Sequence, residues 1–519
     1  MSLFKSFATV GSATLLSRIL GFFRDILIAT TLGSGPVADA FFVAFRLPNL
    51  FRRLFAEGAF NSAFIPLFSE KLEKEGREGA KHYAEEILSG LAITLFIISA
   101  LIEIFMPTFI LLNAPGFMDE AGKFDVTVLY SRVMFPYLFC MAIVAMLSGI
   151  LNSFGKFKAA AFAPVLLNII LISVLLVIQF SDFHSSVIIG LILSWGVLLA
   201  GLAQLSLLAW AMHKNDIKLD LKRPRWNDNS KNLIKLGIPG IISGGITQVN
   251  IFIGTIIASL QASAISYLYY ADRIYQLPLG IVGIAIGVVL LPTLSRKLNG
   301  QDIKGAQSAM DHSLSFAMLL TLPAAVALFV IPLPIITILF ERGAFTPSDS
   351  YQTALALKAF AIGLPAFVLI KVFSPAFFAR KDTKSPMNFA ICSVVINITV
   401  SFLLFDYMGH IGIALATTIA GWVNAISLMI ALNRRGLYKI SGKISGRILR
   451  MVVASLLMAF ITIVSHDILL ETWLTSSNTL FAIIALTLLV LIGIISFFVS
   501  AYLLRVFTIK EIKNLRSGR

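Results

Sequence analysis

Five arginines stand in apolar sequence where a membrane helix ordinarily carries none. Residues 15–66, LLSRILGFFRDILIATTLGSGPVADAFFVAFRLPNLFRRLFAEGAFNSAFIP, hold Arg18, Arg24, Arg46, Arg52 and Arg53, with acids at Asp25, Asp39 and Glu57. A charge in hydrocarbon costs at least about 2.5 kcal/mol, so these side chains must face a bundle interior or a wet cavity. Arginine grips phosphate oxygens with a planar fork and stays protonated in a low dielectric. The chemistry that suits the cluster is therefore anion binding, above all of phosphate. Arg273 beside Asp272, in YLYYADRIYQLPLG, repeats the feature in the second half of the chain.

Position separates these residues. Arg18 and Arg24 are six apart, about 120° around a helix, and need not share a partner. Arg18 lies nearer the cytoplasmic third and can alternatively snorkel to the interface. Asp25 follows Arg24 directly, and adjacent helical positions diverge, so only partial neutralisation is expected. Pro48 interrupts the second span between Arg46 and Arg52, freeing carbonyls and turning side chains toward a cavity. Glu57 is spaced to pair with Arg53, and Asp39 offers Arg46 a partner. Arg52 is then the strongest cavity candidate on this span. The Asp272–Arg273 neighbours read either as a structural ion pair at a bend or as a cationic wall opposite the first.

Other charges are less specific. Arg132, Lys358 and Glu103 fall near outer span ends, while Lys371, between Pro365 and Pro375, is deeper. Asp382 in ARKDTKSP, with Asn388 and Asn397 downstream, reads as a monovalent-cation site or as a capped cytoplasmic turn. His184, His213, His312 and His410 lie near loops or span ends without metal-ligand spacing, and no metal site is assigned. Cys140 and Cys392 lie inside spans and form no disulfide framework. The sequence carries no P-loop, dinucleotide fingerprint, HExxH or nucleophile elbow. This predicts a transporter without a cofactor, driven by a gradient or by the membrane potential rather than by its own ATP hydrolysis.

The elements that position these charges are membrane helices. The chain is 58% hydrophobic and 13% charged, against about 25% charged in soluble domains. The expected fold class is an all-α polytopic membrane protein of 14 transmembrane helices, near 7–32, 37–66, 83–112, 129–153, 159–180, 186–212, 233–259, 264–294, 308–340, 352–378, 386–405, 411–433, 446–467 and 475–504. The first run continues well past the length of a cleavable signal. Lys and Arg fall into alternate loops, including Lys71 to Lys81, Lys214 to Lys235, Arg296 to Lys304 and Arg434 to Arg450. The opposite loops hold only Lys123 and Arg342. Both termini are thereby expected in the cytoplasm, which requires an even number of spans. The net charge of +15 is thus a topology signal, not a nucleic-acid footprint.

The halves repeat in order. AFRLPNLF then FIPLFSE at 44–70 answers to ADRIYQLP then LLPTLSRK at 271–297, and APGF then FPYLF at 114–139 answers to RGAF then LPAFV at 342–368, all at an offset near 228. Two pseudo-symmetric six-helix lobes, 1–215 and 216–435, followed by two additional helices and a tail over 436–519, are the economical reading. Six spans per lobe give both the same orientation, a pair able to rock about a central site. Five arginines plus Arg273 fit a headgroup with two phosphates, whose lipid tail would require a lateral opening.

SRILGFFRD at 17–25, ADAFFVAFRLPNLFRRLFAEGAFNSAFIPLFSE at 38–70 and YYADRIYQLPLGIVGIAIGVVLLPTLS at 269–295 resemble the MurJ/MviN lipid II flippases of the multidrug/oligosaccharidyl-lipid/polysaccharide exporter superfamily, over essentially the whole chain. The resemblance implies inner-membrane translocation of undecaprenyl-diphosphate-linked peptidoglycan precursor, lipid II, to the periplasmic face by alternating access, with a groove at the last two helices. It implies Arg18, Arg24, Arg52 and Arg273 as substrate-binding residues. Asp39 is implied as an important acid, while Asp25, Arg46, Arg53, Glu57 and Asp272 are left to gating or structural roles. Gln276 stands where some members have an acid. The implied partners are lipid II and the bilayer, with cell-wall synthesis machinery as a candidate, for a chain acting as a monomer. A flippase for another polyprenyl-diphosphate-linked glycan is the main alternative; a drug/cation antiporter should carry intramembrane acids without this arginine excess.

Overall fold

The computed structural model describes residues 3–53, 60–181, 183–223, 227–470 and 479–507, and its extended elements are all helices. In order they are α1 (Leu3–Leu32), α2 (Pro36–Phe51), α3 (Asn61–Ile104), α4 (Met106–Asn113), α5 (Lys123–Met134), α6 (Tyr137–Ser153), α7 (Phe157–Gln179), α8 (Ser186–Lys214) and α9 (Asp228–Ser259). There follow α10 (Ala264–Asn299), α11 (Ile303–Val330), α12 (Pro332–Phe340), α13 (Pro347–Phe378), α14 (Lys384–Met408), α15 (His410–Arg434), α16 (Gly442–Ser465) and α17 (Thr479–Leu503).

Among the described residues, ten helical segments are long and apolar enough to cross a membrane: α3, α5 with α6, α7, α8, α11 and α13 to α17. The chain is an all-α polytopic membrane protein. Every 18-residue window of α1 from residue 9 onward contains Arg18, Arg24 and Asp25, and α2 is 16 residues long, so neither belongs to the ten.

Local chemistry explains the breaks. The span expected over 37–66 divides into α2 and the first turn of α3; the intervening residues 54–59, with Glu57, lie outside the described residues. Gly76, at φ 71°, kinks α3 in a conformation that a side chain would resist. Pro136 separates α5 from α6, and Pro332 opens α12 with only Ile331 between it and the end of α11. α13 starts with a capping box: the Thr346 hydroxyl accepts from the Asp349 N–H at 3.3 Å, and Asp349 Oδ2 accepts from the Thr346 N–H at 2.8 Å.

The chain forms two compact units, Met1–Ser266 with Arg342–Phe345, and Tyr267–Glu341 with Thr346–Arg519. In the first, α1 packs on α7, α7 on α8, α2 on α5, and α3 on both α6 and α9. Phe64 anchors its core from α3, stacked between Phe68 and Tyr83 at 5.6 and 5.8 Å. In the second, α13 packs on α15 and α11, α14 on α15, and α16 on α11 and α17. Val372 and Phe373 of α13 meet Leu314 of α11 and Met458 of α16 in one apolar cluster.

Candidate anion-binding site

The arginines of the first unit divide by environment. Arg24, on α1, is 5% exposed and Asp25 is 1% exposed. Although adjacent helical positions diverge, the long Arg24 side chain turns back on its neighbour, and Nε and Nη2 donate to Asp25 Oδ1 at 3.0 and 2.7 Å. The ion pair is therefore tighter than the partial neutralisation expected from spacing. Nη1 donates to Asn168 Oδ1 on α7 at 3.0 Å, and Asn168 Nδ2 donates back to the Ser17 carbonyl at 2.8 Å. Asn168 so fastens α1 to α7 through both ends of its amide. The guanidinium also lies 5.8 Å from the ring centre of Phe45 on α2.

Asp39 is the second buried charge. Its Oδ1 accepts from the Ser266 N–H at 2.9 Å and hydroxyl at 2.6 Å, and its Oδ2 accepts from Lys123 Nζ at 2.9 Å. Lys123, first residue of α5, also donates to Glu120 at 2.8 Å and sits 4.1 Å from the centre of the Phe117 ring. The cation on Asp39 is therefore Lys123, and the pairing with Arg46, one of the two roles open to that arginine, is not formed. Seven residues of helix separate Asp39 from Arg46, about 10.5 Å along α2, too far for a direct pair. Arg46 instead donates to the Thr255 hydroxyl on α9 at 3.4 Å. Sequence reasoning counted Lys123 only as a loop charge; its one signal was being the sole lysine in the sparsely charged set of loops.

Arg18 and Arg53 are exposed, and Arg18 makes no hydrogen bond or ion pair among the described residues. Arg52 is half-buried, its Nε donating to Asn49 Oδ1 at 3.1 Å, one turn back. Within the second unit, Arg273 is half-buried, donates from Nη2 to the Tyr269 hydroxyl at 2.8 Å and stacks over that ring at 4.9 Å. Asp272 accepts from Gln276. Lys371 of α13 is exposed, and its stem crosses Gly283 of α10, where an added Cβ would come within 2.7 Å of Lys371 Cδ.

Asp382 belongs to a capped turn. It accepts from the Ser385 N–H at 3.0 Å, the Ser385 hydroxyl at 2.7 Å and Arg435 Nη1 at 2.8 Å. These bonds, Ser385 first and Arg435 after, hold its carboxyl below the ordinary value of 3.8. Among the described residues no group of three or more His, Cys, Asp or Glu could hold a metal ion.

In chemical terms, exposed and half-buried guanidinium groups can take a multiply charged anion, while two enclosed networks fasten helices together. Comparison with known proteins identifies the family. The family pattern described as lipid II flippase MurJ matches residues 28–486. A probable lipid II flippase MurJ of Rhizobium meliloti (strain 1021) is 47% identical over 503 residues, covering 97% of this chain and 93% of the relative. The lipid II flippase MurJ of Burkholderia cenocepacia is 32% identical, over 88% and 89% respectively. A solved lipid II flippase MurJ in an inward closed conformation superposes with a TM-score of 0.79 at 26% identity, covering 96% of this chain and 98% of that one. An inward-facing multidrug resistance MATE family transporter of the MOP superfamily, at 16% identity and a TM-score of 0.67 over 81% and 95% of the two chains, shares the fold. On the family pattern and these full-length relatives, this chain belongs to the lipid II flippase MurJ family.

Proposed function

We propose that this protein is a transporter, not an enzyme, that carries lipid II across the inner membrane from the cytoplasmic to the periplasmic face, acting as a monomer. The diphosphate binds Arg18, Arg24, Arg52 and Arg273, while the undecaprenyl tail stays in the bilayer. The observation that carries the site is the exposure of Arg18 in residues 9–32 of α1, an apolar stretch whose other charges, Arg24 and Asp25, are enclosed. An exposed cation without a protein partner in a span is the expected form of an anion contact. Arg24, which fastens α1 to α7 through Asn168, has both roles: it keeps that bond and exchanges Asp25 for a diphosphate oxygen. Asp39, with donors from α5 and α10, closes the α2 end of the unit, and Arg46, Arg53, Glu57 and Asp272 set the local charge.

The transport cycle is alternating access between lobes 1–215 and 216–435, with 436–519 as two appended helices. Four observations support that reading. Adding α1, α2, α9 and α10 to the ten long apolar segments gives fourteen spans, the even number that loop charge demands with both termini cytoplasmic. The α3/α4 break at Phe105 and the α11/α12 break at Ile331 are 226 residues apart (331 − 105). The most buried apolar segments are α5 with α6 at 61% and α13 at 67%, the fourth span of each proposed lobe. Finally, the turn after α4 meets the end of α9, while the turn after α12 meets the end of α1. The Gly116 N–H donates to Ser259 Oγ at 3.2 Å, and the Ala344 N–H donates to the Thr30 carbonyl at 2.8 Å. These are the two contacts that a two-fold repeat would exchange.

Lipid II translocation in sealed vesicles, comparing the natural chain with Arg24→Ala and Arg273→Ala, tests the reading. Both variants are expected to lose transport; normal rates from both would refute the diphosphate clamp. A flippase for another polyprenyl-diphosphate-linked glycan would transport that lipid and leave lipid II behind.

A further inference from the structure

The second unit contains a cavity of about 590 Å³ where the α11/α12 break, α13 and the end of α16 meet. Its size falls in the usual range for small-molecule sites, about 300 to 1,000 Å³. The walls are mainly apolar, and two opposite charges enter it, Lys358 from α13 and Asp467 from the turn after α16. Lys358 is exposed, makes no ion pair among the described residues, and is held 4.7 Å from the centre of the Phe329 ring. Asp467 Oδ1 is taken by His466 Nδ1 at 2.6 Å, which orients the carboxylate and leaves Oδ2 to accept. The Thr337 and Tyr351 hydroxyls complete the polar lining.

The location adds a constraint. The basic loops at 296–304, 380–384 and 434–450 adjoin the far ends of α11, α13 and α16, so the cavity lies at the opposite membrane face. Lys358 is 11 residues into α13, about 16 Å along the helix from its start at Pro347, and it is exposed, as expected of a charge near the outer end of a span. Two of the lining residues, Leu333 and Ile463, are themselves exposed, 41% and 43%, which gives the mouth of the cavity an apolar edge for acyl chains.

A free anion would meet Asp467 and a free cation would meet Lys358. A ligand with both charges on one short headgroup satisfies the two at once. We propose that this cavity binds a zwitterionic phospholipid bearing a primary amine, its phosphate on Lys358 and its ammonium on Asp467. The amine must carry N–H donors, because the carboxylate and the hydroxyls accept hydrogen bonds that a quaternary ammonium cannot give. The inference rests on the spanning architecture alone and not on which lipid the protein transports.

The full chain in phosphatidylcholine nanodiscs, titrated with phosphatidylethanolamine and followed by thermal midpoint, tests it. Phosphatidylethanolamine should raise the midpoint saturably, and phosphatidylglycerol should not. Lys358→Ala and Asp467→Asn should each raise the half-saturating fraction about tenfold, the worth of one charged hydrogen bond. Lys358→Arg should retain the response. Both side chains are exposed, so the folded state without the lipid should keep its midpoint in these variants. Equal shifts with phosphatidylglycerol, variants that respond like the natural chain, or saturation by soluble phosphoethanolamine at the same concentration would each overturn the assignment.

Discussion

Asp39 and Arg18 lie on neighbouring helices of one unit, both in sequence that ought to be apolar, yet their surroundings are opposite. Asp39 is fully enclosed and takes three donors from Lys123 and Ser266, whereas Arg18 is exposed. An enclosed ion pair adds little net stability, because desolvation offsets attraction, but removing one partner strands the other at high cost. An exposed arginine has already kept much of its hydration and can exchange it for a ligand. The contrast separates charges that fasten helices from charges free to meet a substrate, and it can be broken by mutation.

The largest effect should come from Lys123→Ala, which strands Asp39; a loss of about 3 to 5 kcal/mol is expected from thermal unfolding in detergent. Combining it with Asp39→Asn should cost less than Lys123→Ala alone, and a larger loss for the pair would dissolve the distinction. Gly343→Ala comes next. Its φ of 61° and a Cβ position 2.3 Å from the Thr30 carbonyl both oppose a side chain, so about 1 to 3 kcal/mol should be lost in the same assay. Arg53→Ala, at an exposed position, should shift stability by no more than about 0.5 kcal/mol. The smallest effect concerns pH. Because the folded carboxyl of Asp382 titrates below 3.8, its contribution is present at neutral pH and is lost as pH falls through that lower value. At a partly exposed site this amounts to less than about 1 kcal/mol, and Asp382→Asn should flatten that part of an acid-unfolding profile.

How much of this could be read from sequence varied with the range of the interaction. The helices announce themselves because each span must bury its own backbone hydrogen bonds and present apolar side chains over its full length. α7, α8 and α14 to α17 therefore lie close to their expected limits. Breaks were harder, since Phe105 and Ile331 interrupt helices with no charge to mark the interruption. Partners were hardest. Arg24 met the neighbour that helical geometry disfavoured, because a long side chain can fold back where a short one cannot. Asn168, 144 positions away, was invisible beside it. Lys123 reached Asp39 across 84 residues for the same reason: tertiary packing, not local spacing, brought the ends of α2 and α5 together.

The most direct test of that division is the Arg18→Ala variant assayed twice, for lipid II translocation in sealed vesicles and for thermal midpoint. Transport lost with an unchanged midpoint is the predicted result. Normal transport, or a loss of transport matched by unfolding, would contradict a substrate role for the exposed arginine.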